Sequence, residues 1–511
     1  MLSWSVLLLC ITLIAVVYIW SKPSVLPLPP GPKKIPFLGS LLEMPRTLEW
    51  QTFAQWSKDY GSDVIHARVA GVDIIILNSI QAAHDLLDRR SALYSGRPRF
   101  VMAAELMGWG WQFSAMIGER WRERRRLFQQ RFPSSNNAVH QPRLTEFIRV
   151  LQLQLLESPD DFMNIVRHTF GGVILALAYG IKIEPTNDPL VKMAEYAIHT
   201  LTIAAVPGAF LVDVLPILKY IPEWFPGASF KRKARVWREV ALNFRDMPFA
   251  ISEQEIEQGT SQPSFTTLCL DDLDPTRDVE YQRQIIKDTA GMFFSAGSDN
   301  IVSVVQSFIL AMLCNPDIQA KAQLELDELL QHQRLAVYDD EPFLPYLSAV
   351  VKEVFRWQNP TPIGIPHRLD QDDTYKGFHL PAGSMIIGNQ WAMLHDENDY
   401  PEPFKFNPER FLKNGHLDPT VKDPLSVAFG FGRRFCPGSH IAVQAVWLAA
   451  ASILSTFNIY KAVDNEGNAI EPSLEYHSAL IYRPLPFKCN IKPRSTEAVF
   501  LVHSAFDQSS G

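Results

Sequence analysis

The hydrophobic positions fall into runs of different period, and the periods divide the chain. Met1 to Trp20 carries no charged side chain and is mostly Leu, Val, Ile and Ala. About twenty such residues span a bilayer as a helix. A cleaved secretory leader is the rival, but neither a basic n-region nor a small-x-small cleavage site is clear. Lys22, Lys33 and Lys34 follow and place the rest of the chain on the cytosolic side. Leu26-Pro-Leu-Pro-Pro-Gly-Pro32 is a stiff spacer that cannot continue a helix. Asp63 to Leu77 reads as a β-hairpin turning near Gly71, and further strand-like segments lie around Phe378 and Ser384–Ile387. Helical periods cover Ser79–Ser91, Trp121–Phe128, a segment opening at Phe230, and Ala349–Trp357. Val279–Cys314 reads as one long helix stopped by Asn315-Pro316, and Ser439–Leu454 as a long apolar helix. Leu201–Leu218 is apolar but broken by Pro207-Gly208, too broken for a second span. It leads into Lys219–Gly227, which reads as a lid dipping into a membrane interface through Trp224 and Phe225. Residues 494–511 read as a frayed tail.

Composition narrows the class. The 511 residues are 47% hydrophobic and 20% charged, so a large core forms and extensive disorder is excluded. Net charge is −7, and no basic face of the strength a nucleic acid requires is present. Five cysteines at wide spacing (Cys10, Cys269, Cys314, Cys436, Cys489) do not make a disulfide framework. No N-x-[ST] sequon occurs outside Asn359-Pro-Thr361. These features fit a catalytic body in the reducing cytosol.

The chemistry concentrates in Phe429-Gly-Phe-Gly-Arg-Arg-Phe-Cys-Pro-Gly438. Gly430, Gly432 and Gly438 hold a loop around Cys436, just ahead of a helix. The helix N-terminus, with Arg433 and Arg434, is expected to keep the sulfur anionic. A zinc site wants about four ligands, and the sequence has no CxxC. A buried structural thiol, a nucleophile and a metal ligand stay open. In the long helix, Gly297 and Asp299 interrupt an apolar run, and such local conflicts mark function. Gly297 is expected to open space against a flat ligand, and Asp299 to feed protons. Trp121 and Arg125, and likewise Glu353 and Arg356, are spaced to share a helix face.

The order Phe429, Gly432, Arg434, Cys436, Gly438 resembles the cysteine loop of the cytochrome P-450 family. Ala296-Gly-Ser-Asp299 resembles that family's oxygen-binding motif. Glu353-x-x-Arg356 and Pro408-Glu-Arg-Phe411 resemble its structural triad, with Arg410 as the third member. The four motifs occur in the family's order, and the resemblance runs from Pro29 to about Asn490. One position departs: Asn300 stands where the family usually has threonine, which puts the route of proton delivery in question.

The resemblance implies a mainly α (α+β) fold, a large helical domain with a small β-rich lobe over about Trp50–Tyr94. With the anchor it divides the chain into residues 1–20 (transmembrane anchor), 21–34 (linker), 35–493 (catalytic domain) and 494–511 (tail). It implies haem b with Cys436 as axial ligand of the iron, Phe429 and Gly438 shaping the cofactor loop, and Trp121, Arg125, His367, Arg434 and Arg97 at the propionates. Asp299 and Asn300 would act in proton delivery. Trp109, Trp111, Phe113, Phe293, Ala296, Ile363 and Leu480 would line the substrate pocket. The function implied is a membrane-anchored haem-thiolate monooxygenase of the endoplasmic reticulum. It would hydroxylate or epoxidise a lipophilic small molecule with dioxygen and electrons from an NADPH-cytochrome P-450 reductase. That reductase would dock on the basic helix containing Arg120 to Arg126. The finer details resemble fungal microsomal members of secondary metabolism, with a terpenoid as an example of a fitting substrate. A haem-thiolate isomerase or dehydratase, a xenobiotic-oxidising enzyme and a non-catalytic haem sensor remain alternatives.

Overall fold

A computed structural model describes residues 26–206 and 208–510. The expected anchor at 1–20 and the first part of the linker lie outside the described residues, as does Pro207.

The fold is built around one helix. Among the helices used below, α1 is Glu49–Asp59, α2 Gly118–Arg131, α3 Gln141–Glu157, α4 Phe162–Tyr179, α5 Pro189–Ala205 and α6 Ser229–Glu257. The central α7 is Val279–Cys314, followed by α8 Pro316–Leu330, α9 Pro345–Trp357, α10 Ser439–Thr456 and α11 Thr496–Ser510. The sequence expectation for α7 holds to the residue. Its 36 residues extend about 54 Å at the usual helical rise. The Asp278 carboxylate caps its first turn by accepting from the Tyr281 N–H, and Pro316 prevents continuation past Asn315. From Ile301 to Leu313 every residue is buried, so this half is helix core on all sides.

Gly297 has a different job from the one expected. A Cβ there would lie 2.7 Å from Cδ1 of Ile174, so the glycine admits α4 to close contact with α7. Pro159–Tyr179, Val279–Cys314 and Ser439–Thr456 are long and apolar enough to cross a membrane, yet most of each is buried inside the protein.

The small lobe is a four-stranded sheet in the order β1-β2-β4-β3. The strands are Val64–Val69, Val72–Leu77, His367–Arg368 (β3) and Met385–Gly388 (β4). The hairpin turns through Ala70 and Gly71, both at positive φ, as the sequence anticipated. β2 runs parallel to β4, and β3 is antiparallel to it with His367 opposite Ile386. Phe53 and Trp56 of α1 cover Ile65, Ile74, Ile76 and Ile387 to make a separate lobe core. Farther on, β5 is Phe457–Lys461, β6 Tyr476–His477, β7 Arg483–Pro484 and β8 Cys489–Pro493. β5 pairs with β8, and β6 with β7.

The C-terminal end departs from the frayed tail. Thr496–Ser510 forms α11, with Ala498 and Val502 buried. Arg494 locks its approach through two contacts of 2.7 and 2.5 Å to the Asp327 carboxylate.

Candidate functional site

The cysteine loop is shaped by its own backbone. The Cys436 N–H donates to the Phe429 carbonyl at 2.9 Å, and the Phe435 N–H donates to Gly432 O at 3.1 Å. Gly430 and Gly432 sit at φ 81° and 53°. A Cβ on Gly432 would lie 2.2 Å from the Leu87 carbonyl oxygen, so glycine is required there twice over. Phe429 packs between Phe355 and Phe435 behind the loop. Gly438 precedes α10, and a Cβ there would meet only Phe128, at 3.8 Å.

The electrostatics differ from the sequence expectation. Burial raises the Cys436 thiol above its ordinary value, and the Gly438 N–H and Arg125 only partly oppose that. Arg433 points to solvent. Arg434 donates to the carbonyls of Ser95 (3.0 Å) and Met116 (2.8 Å) and lies over the Trp121 ring. The loop and its arginines therefore do not make the thiolate unaided. As a metal ligand Cys436 would have to shed its proton.

Around this loop the structure gathers three arginines and a histidine. Arg97, buried, donates to the carbonyls of Ser114, Ile365 and Pro366 at 2.7–2.8 Å. Arg125 donates to the Phe435 carbonyl at 2.8 Å. His367 on β3 hydrogen-bonds through Nδ1 to the Tyr94 carbonyl at 2.7 Å. Burial and then Arg125 lower the Arg434 guanidinium to about 10. Burial and then Arg434 push Arg97 down, and burial and then Arg97 push His367 down. Among the described residues no carboxylate forms an ion pair with any of the three arginines, and Nη1 of Arg434 is buried without a partner. Buried cations without an anion are costly.

Arg124 belongs elsewhere. The basic helix was expected to present its arginines to the surface. Arg124 instead turns inward, and its Nε and Nη2 reach Asp288 of α7 at 3.0 and 2.7 Å. Arg120, Arg122 and Arg126 are exposed. This buried pair has no local sequence signal, because its partners are 164 positions apart.

On α7, Ala296 is exposed although Phe293, Phe294 and Ser295 before it are buried. Asn300, one turn on, donates through Nδ2 to the Ala296 carbonyl at 2.8 Å and leaves Oδ1 buried and unpartnered. Asp299 flanks this stripe and turns into a cavity with Ile481, Ala479 and Arg483. Burial raises its carboxyl, with Arg167 and Arg483 pulling the other way.

The expected pocket residues separate. Phe293 packs edge-on to Phe128 and against Phe132, both centroids 5.1 Å away, so it joins α7 to α2. Ile363 packs on the core of the small lobe. Trp109 and Trp111 pack at a tilt against each other, Trp109 lies tilted and Trp111 stacked on Phe244 of α6, and Phe244 stacks on Phe294. Phe113 is buried, and Leu480 is half-buried at the β6–β7 turn.

The sequence model of the family described as cytochrome P-450 matches residues 29–490. The chain belongs to the cytochrome P-450 family. A cytochrome P-450 monooxygenase of Rhodocybe pseudopiperita is 46% identical over 473 residues, 92% of this chain and 90% of the relative. One from Postia placenta is 43% identical over 510 residues, 99% and 98% of the two chains. A tryptamine 4-monooxygenase of Psilocybe cyanescens is 42% identical over 477 residues, 92% and 94%. The chain is thus an enzyme of the cytochrome P-450 monooxygenase class.

The family implies a haem, and the residues present fit one. A half-buried Cys436 would provide a ligand, the arginines without an ion-paired carboxylate would suit two propionates, and exposed Ala296 on α7 would leave room. Behind the loop, Glu353 accepts from Nε and Nη2 of Arg356 at 2.7 and 2.8 Å, from Nε of Arg410 at 3.3 Å and from the Asn407 N–H at 2.8 Å. Glu353 and Arg356 are fully buried, so this P-450 triad is a closed polar network.

Proposed function

We propose that this P-450 is a membrane-anchored haem-thiolate monooxygenase that hydroxylates or epoxidises a lipophilic small molecule, fed by an NADPH-dependent reductase. The observation that carries the reading is Cys436 facing a cluster of buried cations with no carboxylate of their own. Cys436 would hold the haem iron, and Arg97, Trp121, Arg125, His367 and Arg434 would hold the propionates. The haem supplies reductive activation of dioxygen. The protein's residues do the rest. Ala296 clears space over the macrocycle. Asn300 fixes the Ala296 carbonyl and offers Oδ1 as an acceptor for a water or other donor. Asp299, its carboxyl raised by burial, would relay protons beside the cavity it lines. Glu353, Arg356 and Arg410 keep the loop rigid.

Residues 1–20 serve as the anchor and 35–493 as the catalytic domain, on the cytosolic face of the endoplasmic reticulum. Exposed Phe37, Leu42, Ile217, Tyr220 and Trp224 form apolar ground for a membrane surface. Exposed Arg120, Arg122, Arg126 and Arg433 suit an acidic reductase. Fungal relatives, one named for oxidising tryptamine, favour a role in secondary metabolism. In a reconstitution with reductase, NADPH and isotopically heavy dioxygen, the product should carry one heavy oxygen atom. Turnover that persists without all three would overturn the reading in favour of an isomerase, the option raised by Asn300.

A further inference from the structure

Asp299 lies at one wall of a cavity of about 380 Å³ between α5, α7 and the β6–β7 hairpin. Its polar lining has a pattern. α5 sends Lys192, Glu195, Tyr196 and His199 into it from one face, at spacings of three and four. Across the cavity His477 stands directly opposite Arg483 on the antiparallel strands. Burial and then Arg483 lower the His477 imidazole, while burial and then Arg167 lower Arg483 against the opposing pull of Asp299 and Glu195.

The anions nearby are already committed. Glu195 is ion-paired with Arg167. Asp299 is biased by burial toward its protonated, donating form. Among the described residues the half-buried Arg483 side chain makes no hydrogen bond or close ion pair, although Asp299 and Glu195 lie near enough to act on it, and Lys192 has no ion pair. The side chains left without a close partner are therefore donors, beside apolar Ala479 and Ile481 on the turn that shares the cavity with Asp299 of α7.

We propose that this cleft recognises the carboxylate of a lipophilic organic acid substrate, gripped by Arg483 with Lys192 and His477 at the rim. A guanidinium fork matches a carboxylate bidentately. The proposal rests on the monooxygenase reading and narrows its substrate class.

The test is a spectral titration of the haem-loaded full chain with lauric acid, lauryl alcohol and dodecylamine, following the ligand-induced Soret shift. The acid should bind about tenfold or more tightly than the alcohol, the gain expected of one charge-assisted hydrogen bond. Arg483→Gln should bring the acid-to-alcohol ratio close to one. If that variant does not fold, the rim double variant Lys192→Gln with His477→Gln carries the test and should cut the ratio several-fold. An amine or alcohol that binds as tightly as the acid overturns the proposal, as does an acid preference that survives these variants. Acetate protection against thermal unfolding with no Soret response to laurate would mark a free-anion site and also overturn it. The reduced, carbon-monoxide-bound spectrum separates the two levels. Its absence from the wild-type protein strikes the haem-thiolate reading, whereas its presence without acid preference strikes only this assignment.

Discussion

Glu353 is the side chain whose loss the core can least absorb. Its carboxylate accepts from two arginines and a backbone N–H in a site closed to water. Truncation would strand Arg356, which is fully buried. Glu353→Ala should lower stability by about 3–5 kcal/mol, read by denaturant unfolding of the haem-loaded protein; a cost under about 1 kcal/mol, typical of an exposed pair, would contradict the network. The Glu-x-x-Arg spacing made half of this triad legible as a local pair. Arg410, 57 positions away, was reachable only through the family motif. The cysteine loop was legible as a site but not in its electrostatics. A helix N-terminus and two adjacent arginines suggested an anionic sulfur, yet burial dominates and Arg434 is spent on the carbonyls of Ser95 and Met116. Sequence order shows proximity in the chain, not the direction a guanidinium turns.

At the scale of elements, α7 was the most legible because its ends carry their own chemistry, Asp278 as cap and Pro316 as stop. Its interior was less so. A glycine in an apolar helix serves equally to admit a ligand or another helix, and at Gly297 the neighbour is Ile174. Gly297→Ala should therefore destabilise the protein by about 1–3 kcal/mol through overpacking between α4 and α7, measured as a fall in melting temperature. A neutral or stabilising effect would restore the expected ligand-facing role. Phe293 raises the same ambiguity, since aromatic packing such as that on Phe128 and Phe132 and substrate contact look alike in sequence. α11 was missed although Ser495 caps its first turn by accepting from the Ala498 N–H, because its approach is also held by Asp327, far back in α8.

At the scale of the molecule, the segment expected to dip into a membrane interface leaves Trp224 79% exposed, and Phe37, early in the described residues, is 98% exposed. Isolated residues of this kind are ordinary, but a group of them marks a contact surface. With the full chain on vesicles containing brominated lipid, quenching of tryptophan emission should fall measurably on Trp224→Phe. Unchanged quenching would place the lid in water. The charge distribution of this acidic protein, with arginines exposed on α2 and the cysteine loop, belongs to the same scale and concerns partner encounter rather than fold.

All three scales meet at Cys436. The decisive measurement is the difference spectrum of the reduced, carbon-monoxide-bound protein, recorded for the wild type and for Cys436→Ala. A red-shifted Soret band of the thiolate type in the wild type and its loss in the variant is the predicted result. A variant that keeps the band, or a wild type that never shows it, would contradict the assignment of Cys436 as the haem ligand.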